Sequence, residues 1–122
     1  MNFISPSDGR LGIHKVFETI LSYINAEPEE KYRLIIGTDS QCRQDGIVFV
    51  TAIIIYRIGS GGRFFYRKEN EYTKLSMKQR IFYEASKSLE VASYLTGLFA
   101  GESNLMDDLE VEIHLDVGEK GP

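Results

Sequence analysis

Leu34-Ile35-Ile36-Gly37-Thr38-Asp39 is apolar on both alternating faces, the pattern of a strand buried in the middle of a sheet. It ends in Thr38-Asp39-Ser40, where the apolar run gives way to polar side chains. Asp45-Gly46 is a hairpin signal, and residues 47–58 after it are β-branched and again apolar on both faces. Gly59-Ser60-Gly61-Gly62 marks a second tight turn. Residues 63–72 are more polar, and their charges suit an edge strand. The three segments predict an antiparallel meander.

Helical patterns flank this meander. Ile13, Val16, Phe17, Ile20, Leu21 and Ile24 form one stripe of a 3.6-residue period, opened by Gly12 and closed by Asn25 and Pro28. Residues 76–99 read as a long helix with Ser76 as its N-cap, Gln79 completing a capping box and Gly101 at its end. A polar linker over 102–108 follows. In residues 109–117 every odd position is apolar and every even one polar, a strict strand period. Strand, helix and strand in this order reach a parallel neighbour by a right-handed crossover.

The expected class is therefore α/β, a mixed sheet of three antiparallel strands and a parallel fourth with flanking helices. Residues 1–30 supply an N-terminal turn and an amphipathic helix packed on the core, and 31–122 the main body of a single domain. The sheet is expected to be truncated after its fourth strand, leaving one side open, which a second copy of the chain could cover.

A chain of 122 residues, 43% hydrophobic and 26% charged, is sized for one domain. Collagen-like, disordered and disulfide-scaffold classes are excluded by composition. The apolar run Ile53-Ile54-Ile55 falls far short of the roughly 20 residues of a spanning helix. Met1-Asn2-Phe3-Ile4 leads directly into a Ser-Pro-Ser-Asp-Gly turn with no signal segment. A lone Cys42, read as structural, makes no internal disulfide and fits a reducing compartment, so a cytoplasmic location is expected. The net charge is −4, yet residues 57–87 hold eight basic side chains against Glu69, Glu71 and Glu84. Either these cations are scattered over solvated faces, or Arg63, Arg67, Lys68, Lys74 and Lys78 form a surface for a nucleic-acid backbone. No aromatic stacking motif stands out.

Three acids draw attention. Asp39 closes a central strand, where a buried carboxylate is costly unless a cation or donors compensate it; capping its own turn is the plainer role. Asp116 holds the equivalent place on the fourth strand, so parallel pairing sets the two side by side, where they repel unless a metal intervenes. On the long helix, Glu84 falls on the shoulder of the apolar stripe beside Leu95 and Ser88, while Glu90 faces solvent. Carboxylates converging from a first strand, a crossing helix and a fourth strand suit Mg²⁺ or Mn²⁺. Two such ions activate a water and stabilise a leaving oxygen in phosphodiester cleavage. His114 shares a strand face with Glu112 and Asp116, as a hydrogen-bonded structural histidine or as a base. Ser40 lacks a paired histidine and acid for a nucleophile's role.

Gly37-Thr38-Asp39-Ser40-Gln41, the two hairpins, Arg80 with Glu84, and Glu112-Ile113-His114-Leu115-Asp116-Val117-Gly118 together resemble the YkuK-like family, an uncharacterised family of ribonuclease H-like fold. The resemblance covers the chain from about Tyr32 onward. It implies a mixed five-stranded sheet ordered 3-2-1-4-5. It also implies that Asp39, Glu84 and Asp116 match the first-strand, helix and fourth-strand acids of active ribonuclease H-like nucleases. Asp39 would then bridge two metals, Glu84 and Asp116 would hold one each, and His114 or Ser40 would stand behind them. A further acid or histidine from a later helix, usual in such enzymes, is missing, as is a fifth strand. The expectation is a metal-dependent phosphodiester hydrolase; the alternative is a non-catalytic module of the same fold that binds nucleic acid or a protein partner.

Overall fold

A computed structural model describes residues 1–102 and 109–115. Its elements run β1 (Asn2–Ser5), β2 (Gly9–Gly12), α1 (Ile13–Ala26), β3 (Tyr32–Arg43), β4 (Gly46–Arg57), β5 (Gly61–Glu71), α2 (Met77–Phe99) and β6 (Leu109–His114). One mixed sheet holds the six strands in the order β2-β1-β5-β4-β3-β6.

The expected meander is present. β3 pairs antiparallel with β4 from Tyr32↔Arg57 to Arg43↔Gly46, and β4 with β5 from Ile47↔Glu71 to Arg57↔Gly61. Gly46 makes the first turn possible. Its φ is 151°, and a Cβ there would lie 2.3 Å from the carbonyl oxygen of Glu71. β6 pairs parallel with β3, from Tyr32↔Leu109 to Gly37↔His114. α2 carries the connection, and its N-terminus closes with the expected capping box between Ser76 and Gln79.

Two expectations change. The N-terminal segment is more than a turn before a helix, because Asn2–Ser5 and Gly9–Gly12 form a hairpin around that turn. β5 is consequently not an edge strand: β1 attaches to it through Ile4↔Tyr66. The order 3-2-1-4 implied by the resemblance matches β5-β4-β3-β6. The described residues extend it on the β5 side by a hairpin, and they include no fifth strand beyond β6.

Both helices pack on the same face of the sheet. Alternate residues Leu34 and Ile36 of β3, Ile53 and Ile55 of β4, and Phe65 of β5 are fully buried there with Val16 and Ile20 of α1 and Val91, Leu95 and Phe99 of α2. Each large side chain so buried contributes roughly 1.5–3 kcal/mol of hydrophobic stabilisation. Arg57 locks the end of α1 to this layer. It pairs with Glu27 at 2.8 Å, donates to the Tyr23 carbonyl at 2.8 Å and lies 4.1 Å from the Tyr23 ring centroid.

The other face carries no helix among the described residues. Strand periodicity places Ile35, Asp39, Ala52, Ile54, Phe64 and Tyr66 on it. Several large side chains there remain well exposed: Phe64 by 48%, Tyr56 by 46% and Ile4 by 38%. No helix of the described residues is long and apolar enough to cross a membrane.

Candidate functional site

The sequence-predicted acids separate across the sheet. Thr38 and Ser40 point to the helix side, where both are buried. The Thr38 hydroxyl is hydrogen-bonded to Thr51 Oγ1 at 3.0 Å and to Ser88 Oγ at 2.7 Å. Ser40 Oγ donates to Glu84 Oε2. Arg80 donates to Ser40 Oγ from Nε at 3.2 Å and from Nη2 at 3.0 Å, and to the Ser40 carbonyl at 3.2 Å. Glu84 is only 4% exposed. Removing a carboxylate from water is costly, and here a hydroxyl donor with an arginine behind it offsets that cost.

Glu84 therefore sits in the middle of the buried stripe of α2 and not on its shoulder. That stripe runs Glu84, Ser88, Val91, Ala92, Leu95 and Phe99, whereas Leu89, apolar as it is, is half exposed outside it. The first half of the stripe is polar because the strand surface opposite it is polar. Glu90 lies outward as expected, 3.4 Å from Arg67.

Asp39 lies between Thr38 and Ser40 and so turns to the open face, where it is exposed. There it lines a depression of about 540 Å³ with Gln41, Arg43, Lys68 and His114, over an apolar floor that includes Val50 and Ile54. The register explains the grouping. Asp39 pairs with Val50 and Val50 with Lys68, while His114 pairs with Gly37 on the other side of β3. His114 Nε2 is 3.0 Å from Glu112 Oε1, so it is hydrogen-bonded, as one reading had it. That bond, with Arg33 Nε 2.8 Å from the same carboxylate, holds the Glu112 carboxyl below its usual range.

Asp116 lies outside the described residues. Among the described residues no group of three His, Cys, Asp or Glu side chains is placed to hold a metal ion. Of the two described acids, Glu84 is held under α2 and Asp39 lines the open face.

The five basic residues do not share a surface either. Arg67 turns to the helix side and is engaged by Glu69 at 2.8 Å and Glu90 at 3.4 Å, with its Nε buried and unpartnered among the described residues. Arg63, on the same side, reaches Asp8 at 3.4 Å. Lys68 faces the opposite way, as strand alternation requires, and Lys74 and Lys78 are exposed before and at the first turn of α2. Cys42 is exposed near the end of β3.

Sequence reasoning missed Phe64 and Tyr66. Their rings lie 6.5 Å apart at an interplanar angle of 25° on the open face, four and two residues before Lys68. The signal was present in Phe64-Phe65-Tyr66-Arg67-Lys68, where a period of two sends Phe64, Tyr66 and Lys68 to one face and Phe65 and Arg67 to the other.

Residues 15–122 match the profile of the Ribonuclease H-like family. The chain is also 29% identical over 133 residues to a Bacillus subtilis (strain 168) protein named "Uncharacterized protein YkuK", an alignment spanning 98% of this chain and 74% of that relative. No solved structure matches the chain. On the strength of the family match and the sheet that carries it, the chain belongs to the ribonuclease H-like family.

Proposed function

We propose that this chain is a nucleic-acid-binding module of ribonuclease H-like fold, with the open sheet face as its contact surface, and not a nuclease built on Asp39 and Glu84. The observation that carries this reading is their divergence. Glu84 is bound to Ser40 beneath α2, while Asp39 lines the open face with Lys68 and Arg43. A metal bridging two carboxylates needs both on one side. On this reading Glu84 serves as a packing group under α2, and the cations of the open face supply what a phosphate backbone needs.

A second reading is favoured by one observation: Asp39 and His114 line the same depression. It is a Mg²⁺- or Mn²⁺-dependent phosphodiester hydrolase whose ligands come from the open face without Glu84.

Titration of a fluorescently labelled oligonucleotide, followed by anisotropy, tests the binding reading. Lys68→Glu is expected to weaken binding severalfold, and affinity should fall steeply with salt. Absence of binding by the unaltered chain, or full affinity in Lys68→Glu, would overturn it.

A further inference from the structure

Most cations of the sheet are engaged by acidic side chains, among them Arg33 on the open face, 2.8 Å from Glu112. On the helix side, Arg57, Arg63 and Arg67 are each committed to an acidic side chain. On the open face, Lys68 and Arg10 enter no ion pair among the described residues. Both flank Tyr66: Lys68 is two residues further along β5, and Arg10 pairs with Ile4, the β1 neighbour of Tyr66. Beside them stand Phe64, 48% exposed, and Tyr66, their rings near-parallel. Uncommitted positive charge next to an exposed ring and a half-buried one suits an anionic ligand that carries π-faces.

Resting on the reading of the open face as a nucleic-acid contact, we infer that Phe64 and Tyr66, with Lys68 and Arg10, form a stacking platform for single-stranded nucleic acid. Two successive bases lie against the two rings, and the cations hold the phosphates on either side. The partner is single-stranded because of shape. Reading a duplex takes an element that enters a groove, and the described part of this face is a sheet surface without a helix standing out from it. Unpaired bases, in contrast, are splayed out and stacked on aromatic side chains of exposed sheets. Stacking is tolerant of sequence, so the platform selects strandedness more than base identity.

The test is anisotropy titration of a labelled oligothymidylate against a duplex of equal length. The proteins are the unaltered chain, Phe64→Leu, Tyr66→Leu, Lys68→Glu and Phe82→Leu. The leucine variants keep apolar area and remove only the rings, and Phe82, 68% exposed on α2, serves as the control. The single strand is expected to bind more tightly than the duplex. Phe64→Leu and Tyr66→Leu should each lose roughly tenfold, and Phe82→Leu should lose nothing. Equal affinity for both forms, or leucine variants that bind as tightly as the unaltered chain while Lys68→Glu does not, would overturn the platform and leave the binding reading standing. No binding of either form overturns both. A self-associating chain that Phe64→Leu converts to monomer in sedimentation would also overturn it, assigning the rings to an interface between two copies.

Discussion

The two faces of the sheet use the same three central strands in opposite ways. On the covered face, β3 and β4 present Leu34, Ile36, Ile53 and Ile55 to the helices, and the polar residues further along are satisfied by one another and by α2. On the open face the same strands present Ile35, Asp39, Val50 and Ile54 around a depression edged by Lys68 and His114. The difference lies in what each polar group is for. Thr38, Ser40, Ser88 and Glu84 bond inward and hold α2 on the sheet, whereas Asp39, Lys68 and Arg43 face outward, where a ligand can reach them.

Neighbouring isoleucines give the largest expected contrast. Ile53→Ala removes a fully buried side chain and is expected to cost about 2–5 kcal/mol, while Ile54→Ala, next in the chain but on the open face, should cost less than half as much. Denaturant unfolding of the two variants measures this, and equal losses would break the distinction between the faces. The next contrast lies along β3. Ser40→Ala removes the hydroxyl that joins Arg80 to Glu84 and should cost about 1–3 kcal/mol. Asp39→Asn should change stability by less than about 1 kcal/mol by the same measurement. Ser76→Ala, which opens the capping box of α2, is expected to cost about 1 kcal/mol of thermal stability without altering oligonucleotide binding at the open face.

The smallest effect concerns pH. Glu112 is held below the usual carboxyl range by His114 first and then by Arg33. Its contribution is present above the unfolded value near 4.5 and is lost as pH falls through the lower folded value. Glu112→Gln should therefore melt slightly lower than the unaltered chain at neutral pH, with the difference closing in acid. A gap that widened in acid would contradict the assigned direction.

Much of this architecture was legible in the sequence. Asp45-Gly46 and Gly59-Ser60-Gly61-Gly62 separate the meander strands, Ser76 with Gln79 opens α2, and the alternation from Leu109 to His114 identifies β6. The N-terminal hairpin was not legible as strands. Its arms are four residues each, and its tie to β5 is a single long-range pairing, Ile4↔Tyr66. Asp39 was legible as a strand-end acid but not as to its side. A strand apolar on both faces does not say which one the helices will cover, and the period of two then fixes Asp39 opposite Thr38 and Ser40. Glu84 was misplaced on its helix because hydropathy cannot register that Ser88 and Glu84 find polar partners on β3. The aromatic pair of β5 escaped notice because its two members are separated by the buried Phe65.

The most direct test of the separation of Asp39 and Glu84 is thermal melting with and without Mn²⁺, for the unaltered chain, Asp39→Asn and Glu84→Gln. An ion that binds only the folded state raises its melting temperature. The separation predicts that Glu84→Gln responds to Mn²⁺ as the unaltered chain does, whatever the size of that response. A clear rise in the unaltered chain that disappears in both variants would contradict it, and would return Glu84 to a metal site shared with Asp39.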